Sequence, residues 1–424
     1  MLSIFAMVIA TLAVALLASR AEGSVVAPAS AFAIMWAGYV ASALLFVTDV
    51  EVLRMGLVWI WLSVVTVYLG AILGGAFVAP PAVRTPRVGV LGVTWLRRFS
   101  AAAVLVGLAD IVAAFAARGF SFTSIFSWLV ISQVSGLYRA DTFSGEVSTS
   151  ILERLVFIAL LLGAIYGGML FRLARRRSDY LLGLATVFVV SALHALYGSR
   201  MGVLYGGSLW IAAYLAVHVS LSDGRGVSVR FVLRLGIAAV VILLGLSTLA
   251  QALRYSATVK DLNWLRMLSN PFGFVAAFGI WFDAHGLDPA APYYGARIFR
   301  RLYEFVGIRH ELQSSIEVGF MESNIYTGFR DLIEDFGLAG SLCATTLFGF
   351  VGRLSFGATV GGRLNAVPWL VLVYGVALTS FASGLLSYTT PAAAVVLFIL
   401  TFGLMPPVVE HDVVAAAARE PEVA

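Results

Sequence analysis

Charged side chains are scarce in this chain. They make up 12% of its 424 residues, against roughly 25% in a soluble domain. With 60% of the residues hydrophobic, that scarcity excludes a soluble globular fold. Cysteine is nearly missing: Cys343, inside an apolar run, is the one copy, so no intrachain disulfide can form. No group of His, Cys and Asp has metal-ligand spacing, which argues against a structural zinc site, and no metal is expected. Alternating short strands are also missing, which argues against an outer-membrane barrel. The net charge of +5 comes mostly from loop arginines. In a membrane chain such charge sets topology before it implies nucleic acid, and no nucleic-acid partner is expected.

What is present is a train of apolar runs, each about the ~20 residues that cross a bilayer. The pattern predicts an all-α polytopic membrane protein with about eleven transmembrane helices, at about 2–19, 28–47, 55–79, 100–117, 151–172, 180–197, 201–220, 231–250, 330–352, 366–387 and 390–406. The first run lacks a basic leader and reads as a helix rather than a cleaved signal. Arginines collect in the loops at 80–99 (Arg84, Arg87, Arg97, Arg98) and 172–179 (Arg172, Arg175, Arg176, Arg177), near 225, and at 353–365 (Arg353, Arg363). Alternating spans put all four on one side, which the arginine bias makes cytoplasmic. The N-terminus is then outside and the C-terminus, with its acidic tail from Val408, inside. The other side receives the 118–150 loop, the Gly198-Ser199-Arg200 turn and the long segment 251–329, within a single domain covering 1–424.

Segment 251–329 gathers the polar groups the apolar runs lack. Tyr294, Ile298, Leu302 and Phe305 recur at helical spacing beside Arg297, Arg300 and Arg301, predicting a basic amphipathic helix at the headgroup layer. Pro271, Pro289 and Pro292 divide the segment into two or three short helices. Arg200 sits in a very short turn on the side where the bias demands no cation, and its planar fork of donors suits phosphate oxygens. Gly198, Gly202 and Gly206 recur every fourth residue, which close helix packing explains as well as function does. His194 and His218 read first as packing histidines. Arg254 is either a snorkelling interfacial cation or a second phosphate clamp. In the run from Glu317 to Gly340, Thr327 or Asn324 can cap a helix, and Asp331 and Glu334 suit its N-terminal end. Asp335 lies a turn deeper, where an ionisable group suggests function. Asp110, inside the fourth helix with Arg118 near its end, reads first as structural, an ion pair.

Gly198-Ser199-Arg200-Met201-Gly202 opening an apolar helix, then Asn324-Ile-Tyr326-Thr327-Gly-Phe, then Asp335-Phe336-Gly337-Leu-Ala-Gly340, resemble the bacterial oligosaccharide repeat-unit polymerases of the Wzy type. The similarity covers roughly residues 190–345. The paired Arg-x10-Gly motifs of some members do not follow Arg200 or Arg254. The resemblance implies a GT-C-like integral glycosyltransferase of the bacterial inner membrane. Such enzymes join polyprenyl-diphosphate-linked oligosaccharides on the outer face, with no cofactor and no obligatory metal, alongside a flippase and a chain-length regulator. On this reading Arg200 binds the diphosphate, helped by Arg254, Arg297 or Arg301, while Asn324, Tyr326 and Arg330 line the substrate. Glu322, Asp335 and His310 are the candidate bases for the acceptor hydroxyl. An O-antigen ligase is the near alternative, and a lipid-oligosaccharide flippase or exporter the distant one.

Overall fold

The computed structural model describes residues 2–46, 54–78, 84–144, 150–222, 245, 273–287, 293–300, 303, 316–318, 321–323, 327–382, 384–406 and 409–413. Within them the chain is helical: α1 (Leu2–Glu22), α2 (Pro28–Phe46), α3 (Arg54–Gly75), α4 (Val90–Ala116), α5 (Trp128–Ser144), α6 (Ile151–Leu173), α7 (Arg177–Leu196), α8 (Arg200–Leu221), α9 (Phe274–Trp281), α10 (Gly328–Val360), α11 (Val367–Thr379) and α12 (Thr389–Phe402). Seven helices among the described residues are long and apolar enough to cross a membrane, and shorter apolar helices cover Leu364–Thr379 and Thr389–Phe402. The protein is an α-helical, multi-pass membrane protein. Helices satisfy every backbone group internally, which a hydrocarbon environment requires. The two small strand pairs are Arg84–Val88 (β1) with Val409–Val413 (β4) and Ile316–Val318 (β2) with Met321–Ser323 (β3), both antiparallel.

Ten of the eleven expected runs fall on helices, with shifted ends. Span 231–250 lies outside the described residues apart from Gly245. α4 starts at Val90, so Arg97 and Arg98 lie within a helix rather than a loop. Arg97 is tolerated there because Asp179 of α7 accepts both its Nε (2.7 Å) and its Nη2 (2.8 Å). The 118–150 segment, expected as a loop, holds α5. Within segment 251–329, where short helices are expected, α9 is one such helix and is buried in the bundle.

Lipid tails give no hydrophobic drive for one helix to leave them for another, so packing detail decides association. α3 and α10 meet backbone to backbone: a Cβ on Gly70 would strike the Thr346 carbonyl, and one on Gly349 the Val67 carbonyl. Thr66 and Thr345 share a 2.6 Å hydrogen bond across the same contact. Two apolar clusters result. One joins α4, α6, α7, α8, α11 and α12. The other joins α1, α2, α3, α9 and the start of α10. Met201, at the start of α8, packs against both.

The arginine-bearing segments gather at one end of the bundle. Arg172 Nε donates to His218 Nδ1 (2.8 Å). Arg353 Nη1 donates to the Glu22 carbonyl (3.4 Å). A cavity of about 190 Å³ at this end is lined by Met169, Val217, Leu364 and Phe402, joining the ends of α6, α8 and α12 to the 361–366 turn. The turn near 225 lies outside the described residues. The opposite end carries the α7–α8 turn, α9 and the start of α10.

Candidate functional site

The site is built on a broken helix. Gly337 interrupts α10 with φ 70° and ψ −177°, a region essentially reserved for glycine. The break frees carbonyls that an intact helix would use. Tyr293 N–H donates to the Glu334 carbonyl and Tyr294 N–H to the Asp335 carbonyl, each at 2.9 Å. Asp335 then anchors the same strap. Its Oδ1 accepts from Arg297 N–H and its Oδ2 from Ile298 N–H, both at 2.8 Å. Asp335 is 0% exposed, and both oxygens serve backbone donors.

That docking shifts the start of the expected amphipathic helix, since Arg300 and Tyr303 are helical and the residues before them are not. Residues 294–299 form turns, with Tyr294 at φ 50° and its carbonyl held by the Tyr303 hydroxyl (2.6 Å). The unpaired N–H groups ahead of helical Arg300 are what a buried carboxylate needs. Leu302 and Phe305 lie outside the described residues.

Arg297 turns inward and shares a carboxylate with Arg330. Glu334 Oε2 meets Arg297 Nε at 2.8 Å, and Oε1 meets Arg330 Nε at 2.6 Å. The three side chains are 6–12% exposed. Arg330 also lies 4.9 Å from the Trp281 ring centroid, and Arg297 4.6 Å from that of Tyr293. Asp331 is buried nearby, with Oδ2 accepting from Gly384 N–H (3.4 Å). Thr327 occupies the N-cap position of α10 but makes no side-chain capping bond. Asn324, the other capping candidate, lies outside the described residues.

The α7–α8 turn sits beside this cluster. Gly198 takes φ +67°, and Ser199 caps α8 by accepting from Gly202 N–H (3.3 Å). Arg200 is the first residue of α8, and its side chain lies outside the described part. Five residues on, Tyr205 meets the Tyr388 ring at 5.5 Å and lies within electrostatic reach of Asp331. The packing reading of the glycines holds for two of them: a Cβ on Gly202 would enter the His194 ring, and one on Gly206 would press on Val190. His194 is buried edge-on against Phe157 (4.6 Å). His218 belongs to the opposite end, on Arg172.

The structure thus brings together Arg297, Arg330 and Asp335 beside the start of α8. Glu322 lies in the β2–β3 hairpin opposite Glu317, with its side chain outside the described part. Arg254, Arg301, His310, Asn324 and Tyr326 lie outside the described residues. Sequence reasoning missed the bridging role of Glu334, although its four-residue spacing from Arg330 was a usable signal. It also missed Tyr205, Tyr388 and the link from Arg297 to Glu334, which join distant segments and leave no local pattern. No family model, curated protein or solved structure matches the chain.

Proposed function

We propose that the protein is a metal-independent membrane glycosyltransferase that polymerises polyprenyl-diphosphate-linked oligosaccharides at the outer face of the bacterial inner membrane. The observation that carries this reading is the pair Arg297 and Arg330, fixed on Glu334 at the end of an apolar bundle beside the start of α8. A polyprenyl diphosphate keeps its tail in the bilayer and its diphosphate at the headgroup layer. Negative charge grows on that diphosphate as the anomeric carbon–oxygen bond breaks, and preorganised arginines stabilise it. The described cluster sets two arginines against Asp331, Glu334 and Asp335, so Arg200 is needed to balance its charge, and the anion is drawn by the arginine donors rather than by a net positive field. The N-terminal end of α8 adds to that attraction. The bonds to Arg297 and Ile298 give Asp335 a positioning role, and Glu322 and His310 stay as candidate bases.

A lipid-oligosaccharide exporter is the second reading, because transporters use broken helices and buried charges. The arginines gathered on Glu334 beside the start of α8, at one end of the bundle, favour the enzyme. Purified protein given a lipid-diphosphate oligosaccharide in chelator should produce a ladder of longer lipid-linked glycans. Movement of the labelled lipid across a vesicle bilayer without any ladder would establish the exporter instead. A ladder that needs an added divalent ion would refute the metal-independent step.

A further inference from the structure

We propose that α4, α5 and α7, at the Arg200 end of the bundle, form a saccharide subsite in which the Asp110 carboxylate and the Tyr197 hydroxyl bind hydroxyls of the acceptor glycan. It rests on the glycosyltransferase reading and gives the second substrate a place.

Asp110 lies about one and a half turns inside the end of α4. Its Oδ2 accepts from the Tyr197 hydroxyl at 3.2 Å. The Tyr197 ring is held edge-on by Tyr138 (4.3 Å) and Phe157 (5.4 Å). The Arg118 guanidinium lies 3.3 Å from the Tyr138 ring centroid. Ser135 Oγ donates to the Ala195 carbonyl (3.3 Å), tying α5 to α7. Ala114, Phe115, Val134 and Leu196 form the apolar floor.

A purely structural carboxylate at this depth gains most from a neighbouring cation, since burying it is costly. Among the described residues, the groups that act on Asp110 are the Tyr197 hydroxyl and a second carboxylate, Glu153. An ionised carboxylate offers about four acceptor positions, and the Tyr197 hydroxyl fills one. Groups that present O–H donors and carry no charge of their own suit the remainder, and a neutral sugar is such a ligand. Asp110, Tyr138 and Tyr197 are all partly exposed, and Asp110 and Tyr197 lie near the ends of α4 and α7 on the Arg200 side. Tyr197 also precedes Arg200 by three residues, placing the two Cα atoms within about 11 Å. A glycan held at Tyr197 therefore lies beside the proposed diphosphate clamp.

The test uses the free oligosaccharide released by mild acid from lipid-linked repeat units of a strain lacking this protein. Its binding to the purified protein is measured by calorimetry for wild type, Asp110→Asn and Tyr197→Phe. The phenylalanine keeps the ring contacts, so it separates loss of a hydroxyl from loss of fold. Wild type should bind, and each variant should weaken binding about ten-fold or more, as expected for a hydrogen bond to a charged group. Wild-type affinity in both variants, in a protein that still makes polymer, overturns the subsite and leaves the polymerase reading intact. So does polymer synthesis by a wild type that binds no free glycan. A deletion strain with no lipid-linked repeat units overturns both.

Discussion

Glu334 does more at the residue scale than any acid singled out for chemistry. It holds two arginines from distant segments at 2.6 and 2.8 Å. Removing its charge leaves two buried cations sharing no carboxylate. Glu334→Gln should therefore lower stability by roughly 3–5 kcal/mol, the usual cost of breaking a buried pair. A thermal melt in detergent reads this, and an unchanged midpoint would contradict the bridge. Asp335→Asn keeps one acceptor oxygen for two backbone donors. It should cost about 1.5–3 kcal/mol, whereas loss of a true base would cut the rate by about 10²–10⁴ with stability kept. At Arg200 the expectation is about shape as well as charge. Arg200→Lys should stay defective in chain extension at normal protein levels, because an ammonium lacks the planar fork. Full chain length with lysine would mean that charge suffices.

At the scale of elements, Gly337 is the hinge of the design. Its backbone angles cost a residue with a Cβ on the order of 1–3 kcal/mol. Gly337→Ala should favour a continuous helix and release residues 293–298 from the freed carbonyls. Hydrogen exchange at Tyr293, Tyr294, Arg297 and Ile298 should then accelerate, and unchanged protection there would show that the break does not hold the strap. The same elements show what was legible in the sequence. Apolar runs marked the long helices because a bilayer demands about twenty such residues in a row. Gly202 and Gly206 announced a close contact because small residues at this spacing admit a neighbour. α5 was not legible: Trp128–Ser144 is too polar to read as a span and was passed over as loop. The strap at 293–298 was read as the first turn of a helix because the spacing of Tyr294 and Ile298 fits one, whereas helix starts only at Arg300. The carboxylate that overrides it, Asp335, sits about 40 residues away in sequence.

Over the whole molecule, Arg97 with Asp179, Arg172 with His218 and Arg353 with the Glu22 carbonyl mark one end. The broken helix and the α7–α8 turn mark the other. On the proposed orientation, which follows the positive-inside bias, the arginine end faces the cytoplasm. In a Cys343→Ser background, Leu287→Cys, at a position 63% exposed, should react with an impermeant thiol reagent in intact cells. Arg363→Cys should react only after the membrane is opened. The reverse pattern would turn the site toward the cytoplasm. The central claim is that this end of the bundle extends lipid-linked glycans, and the lipid-linked saccharides of a deletion strain test it most directly. The account predicts accumulation of single repeat units on the lipid, with long chains restored by wild type and not by Arg200→Ala. Long-chain glycan made normally without the protein would contradict it.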